Sequence, residues 1–549
     1  MVLLWGSNAR ETHPIFFHHL IKGIHNGARL FVVDPRQTPS AAWAERHLQL
    51  DVGSDIALAH AMAREIIACG LHNVEFIGRA TSGFAEFARH VEPCTLTWGE
   101  AMTGVPAQQI AQAAHAFAKA QRAMICWTLG ITEHKNAVDN VLSLINLGLL
   151  CGHVGRFGSG LNPLRGQNNV QGGGDAGALP HKLPGFQDVE DEAIRKRFEG
   201  AWNCAIPPSN GLNLTQMFDA IEHGALHSVY CIGENPAQSE ADAGRTHRLL
   251  KSLDHLVVQD IFLTQTAEMA EVVLPVSAAW CETDGTVTNS ERRVQRVRKA
   301  LQAPGEARDD IAVIAELARR LGSDLTPLGS QAPPDPRDLL AEQLWEEMRS
   351  LSPLHGGMSW KRLEQLDGIQ WPCPTEDHPG TAFLHARLWQ DPIQGRRAQF
   401  SAVLVSAPAE ALSQEFPLRL TTGRHLHAYN TGVQSDSYAS PLNRGESLDV
   451  SPEDAESLGL QPGEWVRVRS RRGQVSAPVR IDPGLKPGLC FMTFHYPEQV
   501  ATNLLTIDAT DPKSGTAEFK AAAVRVEKLA PSADSAPAAA GGSFGSAPH

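Results

Sequence analysis

No run of about 18 uninterrupted apolar residues occurs in the 549-residue sequence, so nothing in it reads as a membrane-crossing helix. The first residues also lack the basic segment, apolar run and small-residue cleavage site of a secretory signal. Cys-x-x-Cys pairs are missing as well. The nine cysteines, at 69, 94, 126, 151, 204, 231, 281, 373 and 490, are scattered, and no zinc or iron–sulfur site can be read from local sequence. An odd, dispersed set of this kind predicts reduced thiols in a cytoplasmic protein. Basic excess is absent: Lys+Arg 48 against Asp+Glu 61 gives a net charge of −13, which argues against a nucleic-acid-binding surface and leaves room for a local basic pocket. What is present is bulk. With 42% hydrophobic and 20% charged residues the chain builds large cores, and its length predicts about three or four domains.

Val2 to Gly6 reads as a short buried strand, Pro14 to Ile24 as a helix, and Ala28 to Val33 as a second strand ending in Asp34-Pro35-Arg36. That is a β-α-β unit. Gly53-Ser54-Asp55 is expected to cap a helix running to about Cys69. The pattern predicts a parallel sheet wrapped by helices, opening abruptly at Val2 as if something normally preceded it. Val141 to Cys151 reads as a buried helix that empties into a Gly/Asn/Gln-rich segment, 152–177. A second α/β stretch follows, with strands at Ser228 to Ile232, His255 to Gln259 and Glu271 to Leu274.

Residues 303–410 read as a helical connecting region with Pro-rich interruptions at Ala332 to Arg337 and Trp371 to Pro379. Five β-branched runs, Leu418–Thr422, Trp465–Ser470, Gln474–Ile481, Leu489–Thr493 and Ala522–Val526, predict a small β-barrel over 411–528. The Ala/Ser/Gly/Pro-rich tail within 529–549 reads as disordered.

The most informative segment is Asn162 to Gly172, where Arg165 stands among glycines and amides with no acid beside it. Its planar guanidinium matches a carboxylate bidentately, and Gln167 is placed to orient a small polar molecule. A solvated arginine on a Gly-rich loop meets the local chemistry equally well.

The run Arg165-Gly166-Gln167-Asn168-Asn169-Val170-Gln171-Gly172 resembles a motif of molybdopterin-dependent formate dehydrogenase catalytic subunits, in the DMSO reductase superfamily. Trp5 to Asn8 with His13-Pro14, Asp34 to Arg36, Gly233 to Pro236, Val258 to Phe262, Leu274-Pro275 with Glu282 to Gly285, and Gly423-Arg424 through Thr431-Gly432 agree in order and spacing. The resemblance spans about residues 1–528. It implies two interlocked parallel-sheet domains, 1–167 and 168–302, around a bis-molybdopterin guanine dinucleotide carrying molybdenum or tungsten, covered by a six-stranded C-terminal barrel.

By the same resemblance Gly6, Asn8, Asp34, Arg36, Asp55, Gly130 and Glu133 would hold one nucleotide. Gly233, Asn235, Ser239, Gln259, Asp260 and Asp284 would hold the other, and Arg424, Tyr429, Thr431, Asn503, Phe519 and Lys520 would reach the pterins. Arg165 and Gln167 would be catalytic, with formate or a similar small carboxylate as substrate and electrons passing to a subunit carrying iron–sulfur or flavin. His134 is the histidine expected nearest the cofactor, while Cys126 and Cys151 read as core residues rather than metal ligands.

Ala428 and Asn430 stand where the family usually has histidines. The family's [4Fe-4S] cysteines, and the cysteine or selenocysteine metal ligand with its neighbouring histidine, have no counterparts in this sequence. The expectation is therefore a molybdopterin oxidoreductase missing its N-terminal segment and inactive alone. Two alternatives stay open: a related enzyme acting on nitrate or an S-oxide, and a truncated cofactor-binding remnant or subunit without catalysis.

Overall fold

The computed structural model describes residues 1–529 except 280, 332–339, 430 and 432–444. The expectations for the tail beyond residue 529, for Asn430 and Gly432, and for the Pro-rich stretch at Ala332 to Arg337 lie outside the described residues.

Five parallel strands form the first sheet, in the spatial order Arg46–Leu48, Leu30–Val33, Val2–Trp5, Met124–Trp127, Gly160–Pro163. Val2–Trp5 lies at its centre and is buried throughout, because helices cover both faces. Leu3 and Trp5 pack into the core built with the Asp55–Ala68 and Ala107–Lys119 helices, while Val2 and Leu4 face Phe17 and Leu20 of the Pro14–His25 helix. The period of two along the strand thus feeds two cores. Gly160–Pro163, the outermost strand, has no apolar alternation and is set by its pairing with Met124–Trp127.

The expected helix after Gly53 runs from Asp55 to Ala68, but Ser54 does not cap it. The Ser54 hydroxyl donates to the Asp51 carbonyl at 2.7 Å instead, so it ties the preceding turn.

The second sheet has three parallel strands, Ser228–Ile232, His255–Asp260 and Val272–Pro275, with the middle one at the centre. An antiparallel hairpin, Gly285–Thr288 with Arg293–Val297, follows. The connecting region is less helical than its composition suggests. Its described α-helices are Asp310–Arg320, Ala341–Leu351 and Trp360–Gln365, and much of the rest is turn and extended chain in which proline removes backbone donors. Part of it returns to the first domain, where Ala398–Gln399 pairs in parallel with Thr81–Ser82.

The C-terminal barrel is closed and six-stranded, in the order Leu418–Thr422, Leu489–Met492, Leu448–Val450, Gln474–Ile481, Trp465–Arg469, Ala522–Lys528. Its sixth strand, Leu448–Val450, is short and carries a buried aspartate, Asp449, paired with Arg480. The barrel meets the first sheet where the Gly484 carbonyl accepts from Gln37 N at 2.8 Å and Gln49 Nε2 at 3.1 Å.

A cavity between the first sheet and the barrel

A cavity of about 470 Å³ opens at the carboxyl ends of the first sheet and is roofed by the barrel, with Glu234 and Ser239 of the second α/β unit at its side. This is where a parallel sheet presents its ligand-binding loops. Of the residues singled out from sequence, Gly6, Asn8, Asp34, Arg36, Asp55, Gly130, Glu133, Arg165, Gln167, Ser239, Arg424, Thr431, Phe519 and Lys520 all line it.

At its floor Gly6, with φ +56°, lies against Gly130, whose N–H donates to the Gly6 carbonyl at 3.1 Å. A Cβ on Gly130 would sit 2.5 Å from that carbonyl oxygen, so no side chain fits at this crossing. Asn8 is held within the protein, accepting from the Ser40 hydroxyl at 2.9 Å and donating to Glu11. Asp34 accepts the Arg36 N–H at 2.9 Å, and burial pushes its carboxyl up against the opposing charge of Arg36. The Arg36 guanidinium lies 3.6 Å from the centre of the Phe491 ring. Asp55 accepts from the Trp5 indole at 2.8 Å; burial raises its carboxyl too, opposed by His134 and this hydrogen bond.

Lys520 and Glu133 form a 2.7 Å ion pair from barrel to α/β domain. His134 is buried near them, its Nε2 3.1 Å from the Gly130 carbonyl and its Nδ1 3.5 Å from Glu518. It lines the cavity, as does His13.

Arg165 is exposed at the mouth, and its guanidinium makes no hydrogen bond or ion pair with the described residues. Its field is felt by Asp175, whose carboxyl is occupied by Gln171 and Trp371 at 2.9 and 2.8 Å and is raised by burial. An acid is therefore nearby after all, but it does not pair with the arginine. The Arg165 carbonyl is anchored by His13 Nε2 at 2.6 Å, and Thr12 Oγ1 lies 2.8 Å from His13 Nδ1. His13 carried a place in the motif pattern without a role; the fold supplies one. Burial and the Arg424 charge lower its pKa, which keeps the ring neutral and Nε2–H donating. Burial likewise lowers the Arg424 pKa.

Seven expected residues do not line this cavity. Gln259 is fully buried, bonded to Tyr230 and Asp310. Asn235 spends its amide on Thr266 and Gln238. Asp260 caps the N–H groups of Ile261 and Phe262. Asp284 is exposed, 3.9 Å from Arg296. Gly233 and Tyr429 are also exposed. Asn503 lines a separate hollow of about 260 Å³ between the second α/β unit and the barrel, where it donates to the carbonyls of Gln238 and Ser239 at 2.9 and 3.2 Å. Phe494 borders both spaces.

The cavity fits a large anionic, hydrogen-bonding cofactor. Arg424 Nε is buried without a hydrogen-bond partner among the described residues, the Gly6–Gly130 floor is bare backbone, and Arg165 is uncommitted. None of the nine cysteines lines it. Cys126 and Cys151 are core residues whose thiols burial pushes up to about 12, far from a ready metal ligand.

A parallel sheet with a Gly-floored cavity under a six-stranded barrel defines a class, and comparison with known proteins agrees. Residues 1–320 match the family "Molybdopterin oxidoreductase" and residues 418–523 the "Molydopterin dinucleotide binding domain". The chain belongs to the molybdopterin oxidoreductase family. It is 41% identical over 534 residues to F420-dependent formate dehydrogenase 2 subunit alpha of Methanococcus maripaludis, covering 96% of this chain and 76% of that one. It is 34% identical to formate dehydrogenase H of Escherichia coli, covering 96% and 73%. The assimilatory nitrate reductase catalytic subunit of Bacillus subtilis is 31% identical, with 96% and 74% covered. Acetylene hydratase from Pelobacter acetylenicus superposes with a TM-score of 0.71 at 20% identity, over 96% of this chain and 78% of that one, which bears on the fold alone.

Proposed function

We propose that the chain binds a bis-molybdopterin guanine dinucleotide carrying molybdenum or tungsten in the cavity and acts in formate oxidation to carbon dioxide. Formate dehydrogenase relatives at 34 to 41% identity support the activity. The observation that carries the substrate is Arg165, an uncommitted guanidinium held at the cavity mouth through its own backbone. When bound, the cofactor supplies the two-electron redox chemistry.

The protein's residues bind and orient. Arg165 holds the carboxylate bidentately and Gln167 assists its placement, while His13 fixes the loop that carries both. Arg36, Arg424 and Lys520 would meet the phosphates and pterins with positive charge, and Asp34 and Asp55 would offer acceptors to a guanine or ribose. In this reading Ser239, and Asn503 in the neighbouring hollow, would help to hold the second nucleotide. Gly233, Asn235, Gln259, Asp260 and Asp284, which the resemblance fits to that half, lie outside the cavity lining.

The metal's thiolate or selenolate ligand is not one of the nine cysteines in this reading, so the 549-residue chain loaded with cofactor does not turn over formate by itself. Electrons pass to a partner subunit carrying iron–sulfur or flavin. Nine free cysteines support a cytoplasmic setting.

Arg165→Lys tests the assignment in an assembly that turns over formate. Lysine keeps the charge and loses the fork, so kcat/KM for formate should fall about tenfold to a hundredfold, corresponding to roughly 1–3 kcal/mol, with cofactor content unchanged. Unaltered formate kinetics would remove Arg165 from the substrate site. Turnover of nitrate with formate inert would move the reading to the chemistry named for the Bacillus relative.

A further inference from the structure

We propose that Glu65, Cys69 and His115 form a surface site for a zinc-like divalent cation, at the opposite end of the Asp55–Ala68 helix from the cofactor cavity. Asp55 opens that helix in the cavity wall and Cys69 follows its last residue, so at 1.5 Å per residue the two places are about 20 Å apart. The site is separate from the cofactor.

Glu65 and Cys69 are four residues apart and share one face of the helix. His115 comes from the neighbouring Ala107–Lys119 helix. Donors on two packed helices are held more rigidly than donors on a loop. Their ligand atoms all lie within 4.8 Å of one another, with His115 Nε2 2.8 Å and Cys69 Sγ 3.2 Å from Glu65 Oε1. A tetrahedral zinc ion with bonds of about 2.0–2.3 Å spaces its ligands by roughly 3.3–3.7 Å, so side-chain rotation alone opens room for it.

Glu65 gives the second reason. Its residue is only 8% exposed, on a helix whose Met62 and Ile66 belong to the main core, and the side chains that meet its carboxylate are His115 and the weakly donating thiol of Cys69. Packing alone would favour an apolar residue there. Carboxylate, imidazole and thiolate together match zinc rather than magnesium or calcium.

Charge also closes. One carboxylate and one thiolate offset a divalent cation, the imidazole stays neutral, and exposure of Cys69 leaves a fourth position for water. Without metal, Glu65 pushes the Cys69 thiol up while Arg64 and Lys119 act against it. On binding, the thiol proton goes to solvent; Nε2 of His115 gives up the proton it donates to Glu65 and Nδ1 carries one instead, so the ring takes the other tautomer.

The test uses the full chain, reduced and stripped of metal, with zinc ion as the probe and alkylation of individual cysteines followed by peptide mass mapping. Zinc should slow alkylation of Cys69 by about tenfold or more and leave Cys204, the other exposed thiol, unchanged. His115→Ala and Glu65→Gln should each restore the rate at Cys69, and cobalt ion should give a thiolate-to-metal absorption band that Cys69→Ser abolishes. His115 is the safer variant because it is half-exposed, and its circular dichroism should match the parent. Equal alkylation of Cys69 with and without zinc overturns the site. So does protection that survives in the folded His115→Ala protein, which would show adventitious binding to the thiol only.

Discussion

Gly6 and Gly130 meet backbone to backbone under the cavity, and this contact shows how single residues shape the site. Neither strand end can retreat, because Gly6 N bonds to the Val33 carbonyl at 2.8 Å and Gly130 N bonds to Gly6. Gly130→Ala would place a Cβ 2.7 Å from Gly6 Cα, and overpacking of fixed backbone costs roughly 1–3 kcal/mol. The expected outcome is a lowered urea midpoint together with loss of bound cofactor; a variant with parental stability and cofactor content would contradict the contact.

Gly6 and Gly130 are legible because each follows a short strand-like run, Val2 to Trp5 and Ala123 to Thr128. His13 was visible only as part of a pattern, since its service to Arg165 depends on two segments 152 residues apart meeting in space. Asn235 and Gln259 are ambiguous for the opposite reason: polar residues at strand ends suit ligands and internal hydrogen bonds equally, and here both have internal partners.

At the scale of elements, strands with β-branched or alternating runs were readable, and those set by pairing were not. Leu448–Val450 offers only three residues and a buried Asp449, yet the barrel closes through it. Gly160–Pro163 and the hairpin at Gly285–Thr288 with Arg293–Val297 likewise owe their form to neighbours. Ser54 carried a cap residue type whose hydroxyl turned to the preceding loop.

The second sheet adds a consequence. Tyr230, Val257 and Val272 align across its strands, and Tyr230, Ile232 and Val272 are 36%, 45% and 40% exposed, whereas a parallel sheet is normally covered on both faces. The isolated chain should bind an exposed-hydrophobic dye, and Ile232→Ser with Val272→Thr should reduce its fluorescence; unchanged dye binding would show that the open face is not responsible.

Across the whole molecule, buried histidines tie stability to pH. Burial lowers His60, His153 and His355 each to about 4 from the ordinary 6.5. Between those values the unfolded chain takes up protons that the folded chain refuses, so their contribution is complete above about pH 6.5 and is lost as pH falls toward 4. Burial raises Asp34, Asp55 and Asp175, which act with the opposite sign, so the histidine share is best isolated by substitution. Moving from pH 7 to 5, His60→Gln should lose less unfolding free energy than the parent by about 1–2 kcal/mol. Parallel losses in urea titrations would show that His60 is protonated in the fold.

We propose that the cavity between the first sheet and the barrel holds a molybdopterin bearing guanine nucleotide, with Arg36, Arg424, Lys520 and the strand ends lining the place it would occupy. The direct measurement is acid release of bound small molecules from the purified holo-protein, with metal and guanine nucleotide quantified in the same sample. Molybdenum or tungsten and guanine nucleotide should be released together, both diminished in Arg36→Ala. Metal without guanine nucleotide would contradict it.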